Sequence, residues 1–159
     1  MADHAALMGR YIEIHNTNAW DRLGEVLTED YVEEYPQSGE VFRGLARARA
    51  VRANYPGNQG LVDNIDRSTI SLAATEEEWV MTPMFTAVRV EGSGNVGTAV
   101  LRITYPDGSR WWNVILYEIR GNKIALARDF FAAEFDAPDW RAPFRDPSPS
   151  ANAVARGMS

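Results

Sequence analysis

The chain has 159 residues, 45% of them hydrophobic and 24% charged, with a formal net charge of -6. That length suits one domain with a sizeable core, and an acidic balance argues against a nucleic-acid partner, which needs a positive face. Cysteine is absent, which excludes disulfides, thiolate metal sites and a cysteine nucleophile. No apolar run reaches the roughly 18 residues of a membrane span. The start, Met1-Ala2-Asp3-His4, shows no basic region followed by an apolar one, so a cytoplasmic protein is expected.

The first quarter reads as helical. Leu7, Met8, Tyr11, Ile12 and His15 recur at spacings of three and four, one stripe of a helix over 3–15. Asn16-Thr17-Asn18 breaks it, and Asn18 reads as the N-cap of a second helix over 19–27 carrying Trp20, Leu23 and Leu27. An extended segment from Tyr31 to Tyr35 is closed by Pro36 and a Gln37-Ser38-Gly39 turn. A third helix is expected from after Gly44 to about Asn54, stopped by Tyr55-Pro56-Gly57.

Beyond residue 66 the period becomes two. Strands are expected at 66–74, 77–91, 96–106, 109–120 and 123–131. Gly92-Ser93-Gly94-Asn95, Asp107-Gly108 and Gly121-Asn122 supply residues that tolerate positive φ, so these strands should pair as antiparallel hairpins. Pro83 implies a bulge or bend. After Phe135 the chain is rich in proline. A body over 1–136 is therefore expected, followed by an arm over 137–159, pinned by Trp140 and Phe144 and ending in a disordered tail.

Helices followed by hairpins give an α+β layout. The expected architecture is a cone of highly curved, mixed but mostly antiparallel sheet, with three N-terminal helices closing its concave face over a cavity. The convex face would then meet a second copy, giving a homodimer.

The ordered set Tyr11-Ile12-Glu13, Asn16-Thr17-Asn18-Ala19-Trp20-Asp21, Leu27-Thr28-Glu29-Asp30-Tyr31-Val32, Glu34-Tyr35-Pro36-Gln37-Ser38-Gly39-Glu40, Phe42-Arg43-Gly44, Gly121-Asn122-Lys123-Ile124 and Arg128-Asp129-Phe130-Phe131 resembles the SnoaL-like branch of the nuclear transport factor 2-like superfamily, over about residues 5–140. The resemblance implies a cone-shaped α+β barrel. That fold hosts polyketide cyclases, ketosteroid isomerases, epoxide hydrolases, dehydratases and non-enzymatic binders.

Residue by residue, Tyr11 takes the place of the first-helix tyrosine that donates to a developing oxyanion in ketosteroid isomerases. Their carboxylate base corresponds here to Tyr35 and their second oxyanion donor to about Ile115, so steroid-isomerase chemistry is not expected. Arg128-Asp129-Phe130-Phe131 is similar to the Arg-Asp-Tyr-Phe of limonene epoxide hydrolase, with Asp129 at the aspartate that handles protons. The partner Arg-x-Asp of that enzyme is replaced by Gly97-Thr98-Ala99-Val100. Polyketide cyclases of the SnoaL type use one aspartate as acid and base without a metal, a role Asp129 alone would satisfy.

Asp129 is the leading candidate. The last strand places Ala125, Ala127, Asp129 and Phe131 on one face. If that face lines the cavity, Asp129 is a lone carboxyl among apolar walls, and desolvation would raise its pKa into the range of a proton shuttle. The competing reading has it capping backbone or pairing with an arginine. His15, one turn beyond Tyr11, is read as a partner acid or base, or as a satisfied core histidine. Tyr11 and Tyr35 carry phenols for a substrate carbonyl, or simply pack. The face Trp111, Asn113, Ile115, Tyr117 should look inward, with Asn113 orienting a ligand oxygen, or satisfying a bulge, and Trp111 beside it. Trp79, Met81 and Phe85 share a strand face as wall and core, and Phe131 and Trp79 complete the candidate substrate-binding set.

Arg43, Arg47, Arg49 and Arg52 read as a solvated face of the third helix. Glu33 and Glu34 point to opposite faces and so do not pair on period alone. No His-x-x-x-His spacing exists; no metal or cofactor is expected. The function implied is cofactor-independent acid/base chemistry, as a cyclase, isomerase, dehydratase or hydrolase, on a small hydrophobic carbonyl, enol or epoxide compound. The alternative is a non-catalytic small-molecule binder or dimeric accessory protein of the same fold.

Overall fold

The computed structural model describes residues 2–55, 85–105 and 108–146. The chain runs α1 (His4–Asn16), a 3₁₀ turn (Trp20–Glu25), β1 (Leu27–Tyr35), β2 (Glu40–Arg43), α2 (Leu45–Ala53), β3 (Phe85–Ser93), β4 (Val96–Thr104), β5 (Arg110–Arg120), β6 (Lys123–Ala133) and a second 3₁₀ turn (Asp139–Phe144). The expected strand over 66–74, Trp79, Met81, Pro83, the start of the 77–91 strand and the tail beyond 146 lie outside the described residues.

α1 begins where the Asp3 carboxylate accepts from the Ala6 N–H at 2.9 Å. It buries Leu7, Met8, Tyr11, Ile14 and His15, the expected stripe except that Ile14, not the half-buried Ile12, is its fifth member. The second helix is shorter than expected. Asn18 does not cap it; it takes a left-handed conformation, φ 52°, at the break, and only a 3₁₀ turn follows. Leu27 opens β1 rather than ending a helix. α2 matches its expected span.

Six described strands form one sheet in the order β2-β1-β6-β5-β4-β3. The β3–β4, β4–β5 and β5–β6 pairs are antiparallel hairpins, as the turn residues require. The β5–β6 hairpin turns through Gly121 and Asn122 at φ 57° and 63°, the positive pair of a tight two-residue turn. β1 runs parallel to β6, which makes the sheet mixed. β2, not expected from the sequence, pairs with β1 after the Pro36 turn.

A bulge in β6 sets which side chains face inward. Ile119 pairs with Ile124, but Glu118 pairs with Leu126, so Ala125 is the extra residue. Past it, Ala127, Asp129 and Phe131 share a face, as expected. Before it, Ile124 rather than Ala125 is the buried residue. The core lies between α1, α2 and this inner face, filled by Met8, Ile14, Leu23, Tyr31, Leu45, Leu101, Ile115 and Ile124 among others. Trp140 and Phe144 do not pin the arm: they are 69% and 84% exposed, and Trp140 lies under its neighbour Arg141. Among the described residues no helix is long and apolar enough to cross a membrane.

Candidate active site

At the open end of the inner face lies a cavity of about 130 Å³, comparable to an apolar void that holds one benzene ring. Its rim is aromatic: Trp20, Tyr35, Tyr55, Phe85, Tyr105 and Phe131. Its floor is polar: Tyr11, His15, Glu33, Arg52, Asn113 and Asp129. α1 supplies Tyr11 and His15, β1 Glu33 and Tyr35, α2 Arg52, β5 Asn113, and β6 Asp129 and Phe131.

Two rim residues are held by side-chain amides that imitate a neighbouring strand. The Asn16 amide donates to the Phe85 carbonyl at 3.0 Å and accepts from the Phe85 N–H at 2.7 Å. The Gln37 amide does the same for Phe131, at 2.7 and 2.6 Å. Backbone groups at the strand ends are thereby satisfied without further sheet.

Asp129 is 3% exposed. Its Oδ1 accepts from the Asn113 amide at 3.1 Å. Its Oδ2 is buried and meets no hydrogen-bond partner among the described residues. Burial pushes this carboxyl up to about 7, reinforced by the Glu33 charge and partly offset by the Asn113 hydrogen bond and by Arg52. An ionised carboxylate with an orphaned, desolvated oxygen is costly, whereas the protonated acid leaves that oxygen a donor in search of an acceptor.

The Glu33 side chain is 2% exposed and that of Arg52 10%. They form a two-pronged ion pair, Nη2 to Oε1 at 2.7 Å and Nη1 to Oε2 at 2.9 Å. Arg52 also donates from Nε to the His15 Nε2 at 2.8 Å, from Nη1 to the Ala48 carbonyl at 3.1 Å, and from Nη2 to the Tyr11 hydroxyl oxygen at 3.2 Å. Five acceptors thus meet the five N–H groups of the guanidinium.

This arrangement settles the tautomer of His15. Its Nδ1 lies 2.7 Å from the Tyr11 carbonyl, to which it donates, so Nε2 is the acceptor facing Arg52. Burial and the adjacent guanidinium push His15 down to about 3. The imidazole is neutral, with both nitrogens engaged. The reading of His15 as a partner acid or base gives way to that of a satisfied buried histidine. Burial also holds the Tyr11 phenol well above its ordinary range, so Tyr11 keeps its proton while its oxygen accepts from Arg52.

Asp129, Tyr11, His15, Tyr35, Asn113 and Phe131 are brought to one cavity. Tyr35 packs edge-on against Phe42 and Phe131. Trp111 is not part of the wall; it stands behind Tyr105, edge-on to it. Trp79 lies outside the described residues. Arg52 and Glu33 are the polar groups that sequence reasoning passed over, and both carried a signal. Leu45, Ala48 and Arg52 fall on one helix face, whose first two members are buried. Glu33 alternates with Tyr31 and Tyr35, so it shares their side of the strand. Of the other arginines, Arg43 and Arg47 are solvated as expected, while Arg49 ties α2 to the first 3₁₀ turn through the Trp20 and Asp21 carbonyls. Among the described residues no three histidine, aspartate or glutamate side chains converge as a metal ligand set.

No protein-family model matches the chain, and no curated protein does. Solved structures do. A nuclear transport factor 2-like protein of unknown function from Burkholderia xenovorans LB400 superposes with a TM-score of 0.67 at 22% identity, over 91% of this chain and 94% of that one. The chain has the nuclear transport factor 2-like α+β fold. A Kribbella flavida protein provisionally assigned as a ketosteroid isomerase gives a TM-score of 0.67 at 21% identity, covering 95% of this chain and 96% of its own. An LEH-like epoxide hydrolase of M. tuberculosis gives 0.56 at 14% identity, over 82% and 84% of the two chains. At these identities the likeness is one of fold. The nuclear transport factor 2-like frame thus explains the mixed sheet and the cavity, while the chemistry has to be read from the floor of this one.

Proposed function

We propose that this chain is a SnoaL-like small-molecule enzyme that performs acid/base chemistry on a neutral, hydrophobic carbonyl, enol or epoxide compound. The observation that carries the reading is the Oδ2 of Asp129, without a partner among the described residues and buried at the polar floor of an aromatic cavity. A carboxyl poised near neutrality can both give and take a proton at working pH. Tyr11, whose oxygen already accepts from Arg52, keeps its own O–H for the substrate oxygen, where charge develops. Asn113 holds the other oxygen of Asp129. The buried cation is matched by Glu33, which favours an uncharged substrate over a carboxylate. Cyclase, isomerase, dehydratase and hydrolase reactions all use such a pair of groups. Two copies would associate through the convex sheet face.

The test needs no knowledge of the natural substrate. Cyclic enones and ketones are incubated with the protein in deuterated buffer, alongside epoxides scored for ring opening, and exchange at the carbon next to the carbonyl is followed by NMR. Wild type should accelerate exchange or opening of at least one compound. Asp129→Asn should lose about 10²–10⁴-fold of that rate with its fold intact. Compounds that bind but react equally slowly with both proteins would instead establish a non-catalytic binder.

A further inference from the structure

Asp129 does not stand alone at the cavity floor. Glu33 from β1 faces the same space, and the two carboxyls are carried by parallel neighbouring strands, with Glu33 opposite Ala127, two residues before Asp129. Around them, among the described residues, stand Tyr31 and Tyr35 from β1, Tyr11 and His15 from α1, Arg52 from α2 and Asn113 from β5. Arg52 is the group in this set that carries positive charge, since His15 is neutral. Among the described residues, two carboxyls and one cation leave the floor with one carboxyl to be neutralised by a proton. The two-pronged geometry decides which one, because Glu33 holds both oxygens on Arg52 and Asp129 holds none there by any bond described above.

We propose that Glu33 and Arg52 are a positioning pair for catalysis: Arg52 fixes Glu33 as the anion, so that the mobile proton resides on Asp129, and it occupies the Tyr11 oxygen so that the Tyr11 O–H points to the substrate. This inference rests on the catalytic reading above, but its first consequence, where the proton sits, requires no turnover. Neither residue touches the substrate. Glu33 acts on Asp129 through its charge, and Arg52 acts through Glu33 and Tyr11. His15 completes the frame by accepting from Nε of Arg52, which prevents the guanidinium from turning.

The experiment is a carboxyl-carbon NMR titration of Asp129 in full-length protein, with backbone spectra verifying the fold. In Glu33→Gln the neighbouring anion is gone and Arg52 is left uncompensated, so the proton affinity of Asp129 should fall at least tenfold. In Arg52→Gln the cation is gone and the affinity should rise. A single variant that strands a buried charge can fail to fold. The double variant Glu33→Gln/Arg52→Gln leaves no lone charge, and its midpoint should lie below wild type and above Glu33→Gln. Coincident curves for wild type and the double variant, or shifts of the same sign in both single variants, would overturn the pairing.

A second readout addresses Tyr11. The carbonyl carbon of bound cyclohex-2-enone should move downfield in wild type, and lose that shift equally in Tyr11→Phe and Arg52→Lys. Retention of the full shift in Arg52→Lys would remove the orienting role. Failure of the exchange assay with the titration order intact would sink the enzyme reading while leaving the charge assignment standing.

Discussion

Two buried groups on the cavity floor titrate in opposite senses, and their signs give a stability profile. Asp129 is held above the ordinary carboxyl range, so between about pH 4 and 7 the folded chain binds its proton more tightly than the unfolded chain does. Its contribution to stability therefore falls as pH rises through that window. His15 is displaced from 6.5 to about 3, so between those values the unfolded chain binds the extra proton and stability rises with pH. The two slopes oppose each other over most of the acid range. Asp129→Asn removes only the falling limb. Relative to wild type it should gain on the order of 2–4 kcal/mol between pH 4 and pH 8. Urea midpoints across that range check this; a gap independent of pH would show that Asp129 is not buried as an acid. At this scale the sequence was informative about Asp129 and Tyr11, because strand and helix periods place them inward. For Arg52 the signal was only its place on the Leu45–Ala48 face, and a charged side chain on a short helix reads as solvated until its partner is known; here that partner, Glu33, lies 19 residues earlier in the chain.

Among the elements, two glycines show how closely α1 and the hairpins meet. A Cβ on Gly97 of β4 would come 2.3 Å from the Tyr117 ring, and one on Gly92 of β3 equally close to the His4 ring. The distances are alike but the neighbours differ. Tyr117 is 2% exposed and locked beneath α1, while His4 sits in the first turn of α1 and can swing into solvent. Gly97→Ala should therefore cost about 1–3 kcal/mol by overpacking. Gly92→Ala should cost less than that, losing chiefly the His4 contacts with the Tyr117 hydroxyl and the Gly94 carbonyl. Equal losses in urea unfolding would mean that the His4 clasp is as rigid as the core. Hairpins β3 to β6 were legible because glycine and asparagine at their turns have few alternatives. The parallel β1–β6 pairing, the short β2 strand and the 3₁₀ turn were not. The parallel pairing joins segments about 95 residues apart, and a local period carries no trace of it; β2 is four residues long and the 3₁₀ turn six, too short for a period to declare itself.

For the whole molecule, the outer face of the sheet leaves Val96, Trp112, Leu116 and Phe130 between 36% and 57% exposed, in a rim of Arg102–Glu134, Arg110–Glu134 and Arg128–Glu34 ion pairs. An apolar centre ringed by charges suits a symmetric self-contact. We propose the homodimer on this ground, and Leu116→Arg should convert it to a monomer in light scattering without altering the cavity chemistry. A wild-type monomer at micromolar concentration would rule this face out as a stable interface. The α+β architecture was readable from the order of periods along the chain, helical first and then alternating, whereas the arm's aromatic residues misled because exposed tryptophan and phenylalanine look from sequence like anchors.

The saturated guanidinium of Arg52 also bears on how this pocket can diversify. Because its donors serve Glu33, His15, Tyr11 and a helix carbonyl together, replacing Arg52 alone strands the Glu33 charge along with neutral acceptors, whereas a joint replacement leaves no lone charge. Descendants of this chain should thus inherit the arginine and its glutamate as a block or exchange both for neutral residues in step. Drift in specificity would then be confined to the aromatic rim.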